Sequence, residues 1–404
     1  MSDALTMLHS RIDALADIVA NNDASIHGFA YFDAAAAHEE ADKAFAQSRP
    51  QQDLLGWIIP AKDLSDVAGY PTTLGNVQRT YQAIDTEKFI QNYIARGAII
   101  GAKTLAPEFG LSAYTEPVGL AHPVNPLLPG CTPGGSSGGA AVAVARGFVR
   151  AAHGSDGGGS IRIPAACTGL IGFKPAHNTY QAVPVSQGFL TATLDDAAFL
   201  SRITPRKRTL KIGVLTQPVH AEVTVEESML AAVDQAASKL SAYGHSVATL
   251  SRPYGNQPIE AFKDILCLRS TQITGEASPL VHWLRERGHS ISESRRNEAI
   301  TEFMSVKKQL LSAWECDVVL TPTLAFTPPP LGYFSQLAPE EDFYAQTQWT
   351  PWATMFNMSG GAALSLPLPT TNGYPISVHL GSLRVSGAEL FGLAQQLLTP
   401  SRNT

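Results

Sequence analysis

PGGSSGGAAVAVARGFVRAAHGSDGGGSIRIPAA, residues Pro133 to Ala166, decides how this chain is read. It joins two glycine-bracketed serine sites through segments of small residues, and Phe148 is its one Phe, Tyr or Trp. Glycine pairs flank Ser136 and Ser137, while Gly157, Gly158 and Gly159 run directly into Ser160. Residues without a Cβ permit backbone geometries and close approaches that side chains block. They also leave successive N–H groups bare, and such a row can hold an anion or a developing oxyanion. Taken alone, the stretch is as compatible with two tight turns as with a hydrolytic centre. A phosphate cradle is disfavoured, because the stretch has neither the G-x-x-x-x-G-K-[ST] nor the G-x-G-x-x-G pattern.

An upstream element separates these readings. In LGWIIPAKDLSDVAGYPTTLGN, Leu55 to Asn76, the apolar run Trp57 to Ile59 reads as a short buried strand with Lys62 and Asp63 at its end. Strand ends that open into loops are where catalytic groups gather in α/β folds. A lone lysine there is ordinarily a solvated surface residue; its company gives it weight.

Together the three pieces resemble the amidase signature family of serine hydrolases. In that family a lysine on a G-x-P-x-x-x-K-D-N-type segment, a serine in P-G-G-S-S-G-G and a serine in G-S-D-T-G-G-S-I-R form a Ser–Ser–Lys triad. Matched motif to motif, the lysine falls on Lys62, the bridging serine on Ser136 and the nucleophile on Ser160. The steps of 74 and 24 residues between them follow the family's order along the chain. GAKTLAPEFG (Gly101 to Gly110), CTGLIGFKP (Cys167 to Pro175), CDVVLTPTLAFTPPPLG (Cys316 to Gly332), FNMSGGAALSLPLP (Phe356 to Pro369) and PISVHLGS (Pro375 to Ser382) resemble further family blocks. The match covers roughly residues 50 to 205 and 310 to 400, and several independent motifs in one order are hard to obtain by chance.

The resemblance implies an α/β fold, a large twisted mixed β-sheet flanked by α-helices on both faces, and cleavage of a carboxylic acid amide C–N bond. It also implies a cis peptide bond between Gly135 and Ser136. A serine hydroxyl is a weak nucleophile at neutral pH and needs an adjacent base. Lys62 can be that base only when neutral, which requires burial or nearby positive charge to lower its pKa from about 10.4. Trp57, Ile58 and Ile59 are the expected source of part of that desolvation. Ser136 would relay the proton between Lys62 and Ser160, and the N–H groups of Gly157, Gly158, Gly159 and Ser160 would form the oxyanion hole.

Neighbouring residues are expected to support the centre. Ser137 competes with Ser136 for the relay on sequence alone, with motif register favouring Ser136 and a loop-holding hydrogen bond expected of Ser137. Asp156 and Arg162 read as a structural pair around the nucleophile loop, and Lys103 as a holder of loops. Three positions depart from the family pattern: Gly157 stands for threonine, and Leu64 and Leu105 for asparagines. The string D-G-G-G-S-I-R-I-P is similar to branches acting on aryl amides and on linear or cyclic ω-amino-acid amides.

The 404 residues, 44% of them hydrophobic, suffice for a large core. A net charge of −6 leaves no footprint for nucleic acid or anionic membrane. The expected partner is a small-molecule amide, with a homodimer open as the assembly. No long apolar run or basic leader marks the chain, so a cytoplasmic location is the default. Cys131, Cys167, Cys267 and Cys316 are far apart in sequence and read as reduced, mostly buried thiols. No histidine spacing suggests a metal site, no cofactor is expected, and His153 and His177 read as packing or surface residues.

The chain reads as a single amidase domain over 1–404. It comprises an N-terminal helical arm (1–50), the signature core (51–205), a variable substrate-facing segment (206–313) and a C-terminal core (314–404). Helices are expected at 3–20, 33–48, 86–97 with Thr86 as cap, 138–149 and 223–243, and across much of 255–313. Strands are expected near 149–153, 169–173, 211–215 and 246–250. A trimmed variable segment suggests an open pocket, and Phe343, Tyr344, Trp349 and Trp352 read at least half as core. Three rival functions stand beside the amidase: the glutaminase subunit of a glutamyl-tRNA amidotransferase, an ester or carbamate hydrolase with the same triad, and an amidase-like binding protein.

Overall fold

The computed structural model describes residues 2–369 and 374–399. Two β-sheets position the site. The smaller contains β1 (Phe29–Phe32), β2 (Ala61–Lys62) and β3 (Ala102–Thr104), with β3 in the middle. Strands β2 and β3 run parallel, so Ala61 lies beside Lys103 and Lys62 beside Thr104.

The larger sheet has eight strands: β4 (Ala151–Asp156), β5 (Ile171–Lys174), β6 (Ser186–Thr191), β7 (Lys211–Val214), β8 (Ser246–Thr249), β9 (Val318–Pro322), β10 (Ala363–Leu368) and β11 (Ile376–Ser382). Their spatial order is β8-β7-β9-β11-β10-β5-β6-β4. Strand β7 is parallel to β8 and β9, and the remaining neighbours are antiparallel. This is the mixed sheet that the resemblance implies.

Two-residue periodicity sends alternate side chains to opposite faces. Val318 and Leu320 of β9 pack with Met229, Val233 and Leu240 of the helix Glu227–Ala242, and with Leu390 and Phe391 of the helix Gly387–Leu398. Val319 points the other way, into a core with Phe303, Leu310 and Phe356. Helices therefore cover both faces. Each fully buried Leu, Val or Phe contributes about 1.5–3 kcal/mol of transfer free energy, which makes this alternation costly to reverse.

The expected arm helices form as Ser2–Asn21 and Ala34–Ala46, and the variable segment holds the helices Gln257–Ser270, Pro279–Ser290 and Glu293–Ala313. Three local expectations are corrected. Trp57 to Ile59 make only one isolated bridge, Ile58 to Ile99, and pairing resumes at β2 with Ala61 beside Lys103, one residue out of that register. Thr86 caps nothing; its hydroxyl accepts from the Ala68 N–H, and the helix begins after Glu87 as Lys88–Ala95. The helix after the paired serines stops at Ala145, where Gly147 turns left-handed and the Phe148 N–H returns to the Ala143 carbonyl. Among the described residues no helix is long and apolar enough to cross a membrane.

Candidate active site

The serine loops meet each other through the Ser137 N–H and the Ser160 carbonyl, and meet the end of β2 through Ser136 and Lys62. Every residue from Gly138 to Val144 of the helix Gly138–Ala145 is buried. Its second glycine is required by packing, since a Cβ on Gly139 would sit 2.4 Å from both the Gly28 carbonyl oxygen and the Leu105 nitrogen. Gly135 is pressed equally closely on the Tyr114 backbone, and the Gly135–Ser136 peptide is cis, as the resemblance implies.

Lys62 is fully buried. Its Nζ donates to Ser136 Oγ at 2.7 Å, to Ser155 Oγ at 3.2 Å and to the Ser155 carbonyl at 3.4 Å. No carboxylate touches it among the described residues. Burial pushes the ammonium down to about 7, against the opposing pull of the Asp156 charge. Trp57 stacks on Phe199 and under the Arg150 guanidinium.

Ser136 and Ser160 open into one cavity of about 550 Å³, together with Gly157 and Gly158. The Ser160 hydroxyl makes no hydrogen bond among the described residues. Ser137 does not reach the lysine: its N–H donates to the Ser160 carbonyl at 3.2 Å, and its hydroxyl points to the Ser155 carbonyl at 3.5 Å.

Asp156, at the end of β4, organises the loop. Its carboxylate accepts the N–H groups of Gly159 at 2.9 Å and Ile161 at 3.1 Å, and it pairs with the Arg162 guanidinium at 2.8 Å. Burial would raise this carboxyl, but the Arg162 charge and the hydrogen bonds from Arg162 and Asn357 hold it well below the usual carboxylate range. Arg162 is wholly buried, with further bonds to Asn357 Oδ1, the Ala353 carbonyl and His379, so it faces protein on every side. One donor departs from the expected set. The Gly159 N–H is committed to Asp156, which leaves Gly157, Gly158 and Ser160 as the loop N–H groups without an acceptor among the described residues.

Lys103 holds loops, donating to Asp63 Oδ1 at 3.2 Å, Thr72 Oγ1 at 3.0 Å and the Pro71 carbonyl. His153, taken for a packing residue, does more. Its Nδ1 accepts the Lys62 backbone N–H at 3.2 Å, so Nε2 carries the proton and meets Gln187 Oε1 at 2.6 Å. Burial pushes its pKa down to about 3 and keeps the ring neutral. His153 and Ser155 stand two residues apart on β4, hence on one face, and that spacing beside the G-S-D motif was the signal available in the sequence. Ser155 was missed as well.

The cavity wall is largely apolar, with Phe109, Ile163, Val185, Phe262 and Phe343 among its residues. Of the four aromatics near the C-terminal block, Phe343 lines the cavity, Trp349 and Trp352 are core, and the Tyr344 hydroxyl accepts from Lys263. The departures from the family pattern act here: Leu64 and Gly157 line the cavity, and a side chain at 157 would begin 3.2 Å from Val185. The three cysteines Cys167, Cys267 and Cys316 are buried thiols, and Cys131 is partly exposed.

Known proteins resemble this chain along most of its length. The family model described as Amidase matches residues 12–207 and 191–391. The protein named "Putative amidase AmiA2" of Mycobacterium tuberculosis strain H37Rv is 30% identical over 414 residues, covering 90% of this chain and 82% of that one. Among solved structures, 6-aminohexanoate cyclic dimer hydrolase superposes with a TM-score of 0.83 at 22% identity, covering 97% of this chain and 92% of the other. A bacterial aryl acylamidase of the amidase signature family superposes at 0.80 and 22% identity, covering 96% and 91%.

Proposed function

This chain belongs to the amidase family and is a hydrolase of amide bonds, and we propose that Ser160 is its nucleophile, Ser136 its proton relay and Lys62 its base. The observation that carries the reading is the 2.7 Å contact between Lys62 Nζ and Ser136 Oγ beside a cavity that Ser160 shares. Ser160 Oγ attacks the amide carbonyl while its proton passes to Ser136, whose own proton passes to neutral Lys62. Negative charge on the carbonyl oxygen is taken up by the free N–H groups of Gly157, Gly158 and Ser160; one such donor contributes about 100- to 1000-fold. The reverse relay protonates the leaving amine, and water then attacks the acyl-enzyme through the same groups.

Asp156 and Arg162 hold the loop rather than the substrate, and Ser137 fastens it to the helix behind. The apolar wall favours an aryl or alkyl portion next to the scissile bond. The similar structures, an aryl acylamidase and 6-aminohexanoate cyclic dimer hydrolase, support that substrate range. Ser160→Ala is expected to lower kcat by about 10⁴-fold or more and to abolish labelling by a fluorophosphonate probe. Retained turnover on every cleaved amide would overturn the assignment.

A further inference from the structure

The cavity has an unusual charge inventory. Its only ionisable wall residues among those described are Arg79 and Arg269, with no Asp, Glu, Lys or His beside them. Arg79 is fully engaged: it pairs with Glu108 at 2.8 Å and donates to the carbonyls of Thr274 and Glu276. Among the described residues Arg269 has no carboxylate partner and one marginal hydrogen bond, Nη2 to the Ala182 carbonyl at 3.4 Å. Its side chain is exposed, so it stands as an unpaired cation at the solvent-facing end of a largely apolar wall.

Its distance from the serine loop is set by the helix Gln257–Ser270. Ile259, Phe262, Leu266 and Arg269 recur on that helix at steps of three or four and line the cavity together. The Phe262 ring lies against Gly158, with Cζ 3.4 Å from where a side chain there would begin. Arg269 follows seven residues later, which at 1.5 Å per residue is about 10 Å farther along the wall. The stretch between is apolar.

Resting on the reading of Ser160 as nucleophile, we propose that the enzyme prefers amides carrying a carboxylate remote from the scissile bond, bound by Arg269 at the far end of this wall. The guanidinium fork matches a carboxylate in bidentate geometry, and an apolar chain between carboxylate and amide would lie along Phe262 and Leu266. Arg269 then selects among amides and leaves the bond chemistry to the loop.

The test uses two matched substrate pairs, so that either side of the amide can carry the charge. Suberic acid monoanilide is compared with its methyl ester, and N-benzoyl-7-aminoheptanoate with its methyl ester, following amine release. The expected result is a preference of about tenfold or more in kcat/KM for the anionic member of at least one pair, expressed mainly in KM. Arg269→Gln should bring that ratio to near one, while Arg269→Lys, which keeps the charge but loses the fork, should retain part of it. Cleavage without an anionic preference, or a preference that survives Arg269→Gln, overturns the proposal and leaves the nucleophile reading standing. If no member is cleaved and Ser160 resists the fluorophosphonate probe, both fall.

Discussion

Lys62 and Lys174 are buried to the same degree and displaced to the same place, about 7, yet they sit in opposite kinds of surroundings. Lys62 ends a two-stranded pairing and faces hydroxyls, Ser136 and Ser155, at the edge of an open cavity. Lys174 ends β5 and is pinned by the carbonyls of Pro175 at 3.0 Å and Gly361 at 2.8 Å and by His177 Nδ1 at 3.0 Å. Burial lowers both, and the Arg162 charge lowers Lys174 further. A displaced pKa therefore does not identify a base. What separates the two is whether the amine touches a group that can pass a proton on to a substrate: carbonyl oxygens have none to pass, and the far nitrogen of His177 meets the Val183 carbonyl rather than the cavity.

The sharpest way to break the comparison is to remove each lysine. Lys62→Ala should lower kcat by about 10³-fold or more with KM little changed. The wild-type kcat/KM should rise with pH through an inflection near 7, since only the deprotonated amine accepts a proton, and this inflection should vanish in the residual activity of the variant. A pure binding defect in Lys62→Ala would refute its role as base.

Lys174→Met should behave differently. It strips a donor from two half-buried carbonyls, at a cost of about 1 kcal/mol per lost hydrogen bond, while the pH–rate inflection near 7 remains. The linkage has a definite sign. With a folded pKa near 7 and an unfolded one near 10.5, the unfolded chain holds the extra proton across that window, so this group makes stability rise with pH from 7 to 10.5. Denaturant titrations at pH 7 and 10 should show that rise shrink in Lys174→Met. An inflection that moved with Lys174 would exchange the two roles.

The smallest effect is expected from His153→Ala. It leaves the Lys62 backbone N–H without its acceptor and loosens the strand end by which the amine is aimed. A fall in kcat of about tenfold or less, with the inflection kept near 7, would mark it as a positioning residue. A loss as deep as that of Lys62→Ala would give the imidazole a direct part in proton transfer.

Much of this site is legible in the sequence. Glycines that admit no Cβ, such as Gly135 and Gly139, leave a mark in sequence because crowding by backbone permits one residue type. The Asp156–Arg162 support was readable too, as opposite charges six residues apart across a tight loop. His153 and Gln187 were less so: the spacing of His153 and Ser155 puts both on one strand face, but the contacts that give His153 its role reach residues 91 and 34 positions away. Thr86 misled for the reverse reason: a good capping residue was taken up by the Ala68 N–H of another loop.

The sequence by itself determined the chemistry on offer, since two glycine-bracketed serines and one strand-end lysine leave few alternatives for an amide-bond hydrolase. Tertiary structure alone decided which serine meets the lysine, which of four loop N–H groups stay free, and which of the arginines faces the cavity unpaired. Residue types are local properties of the chain. Burial, the direction of a hydrogen bond and the absence of a counter-charge depend on what distant segments bring to the same place, and those are the quantities that set a pKa or a specificity.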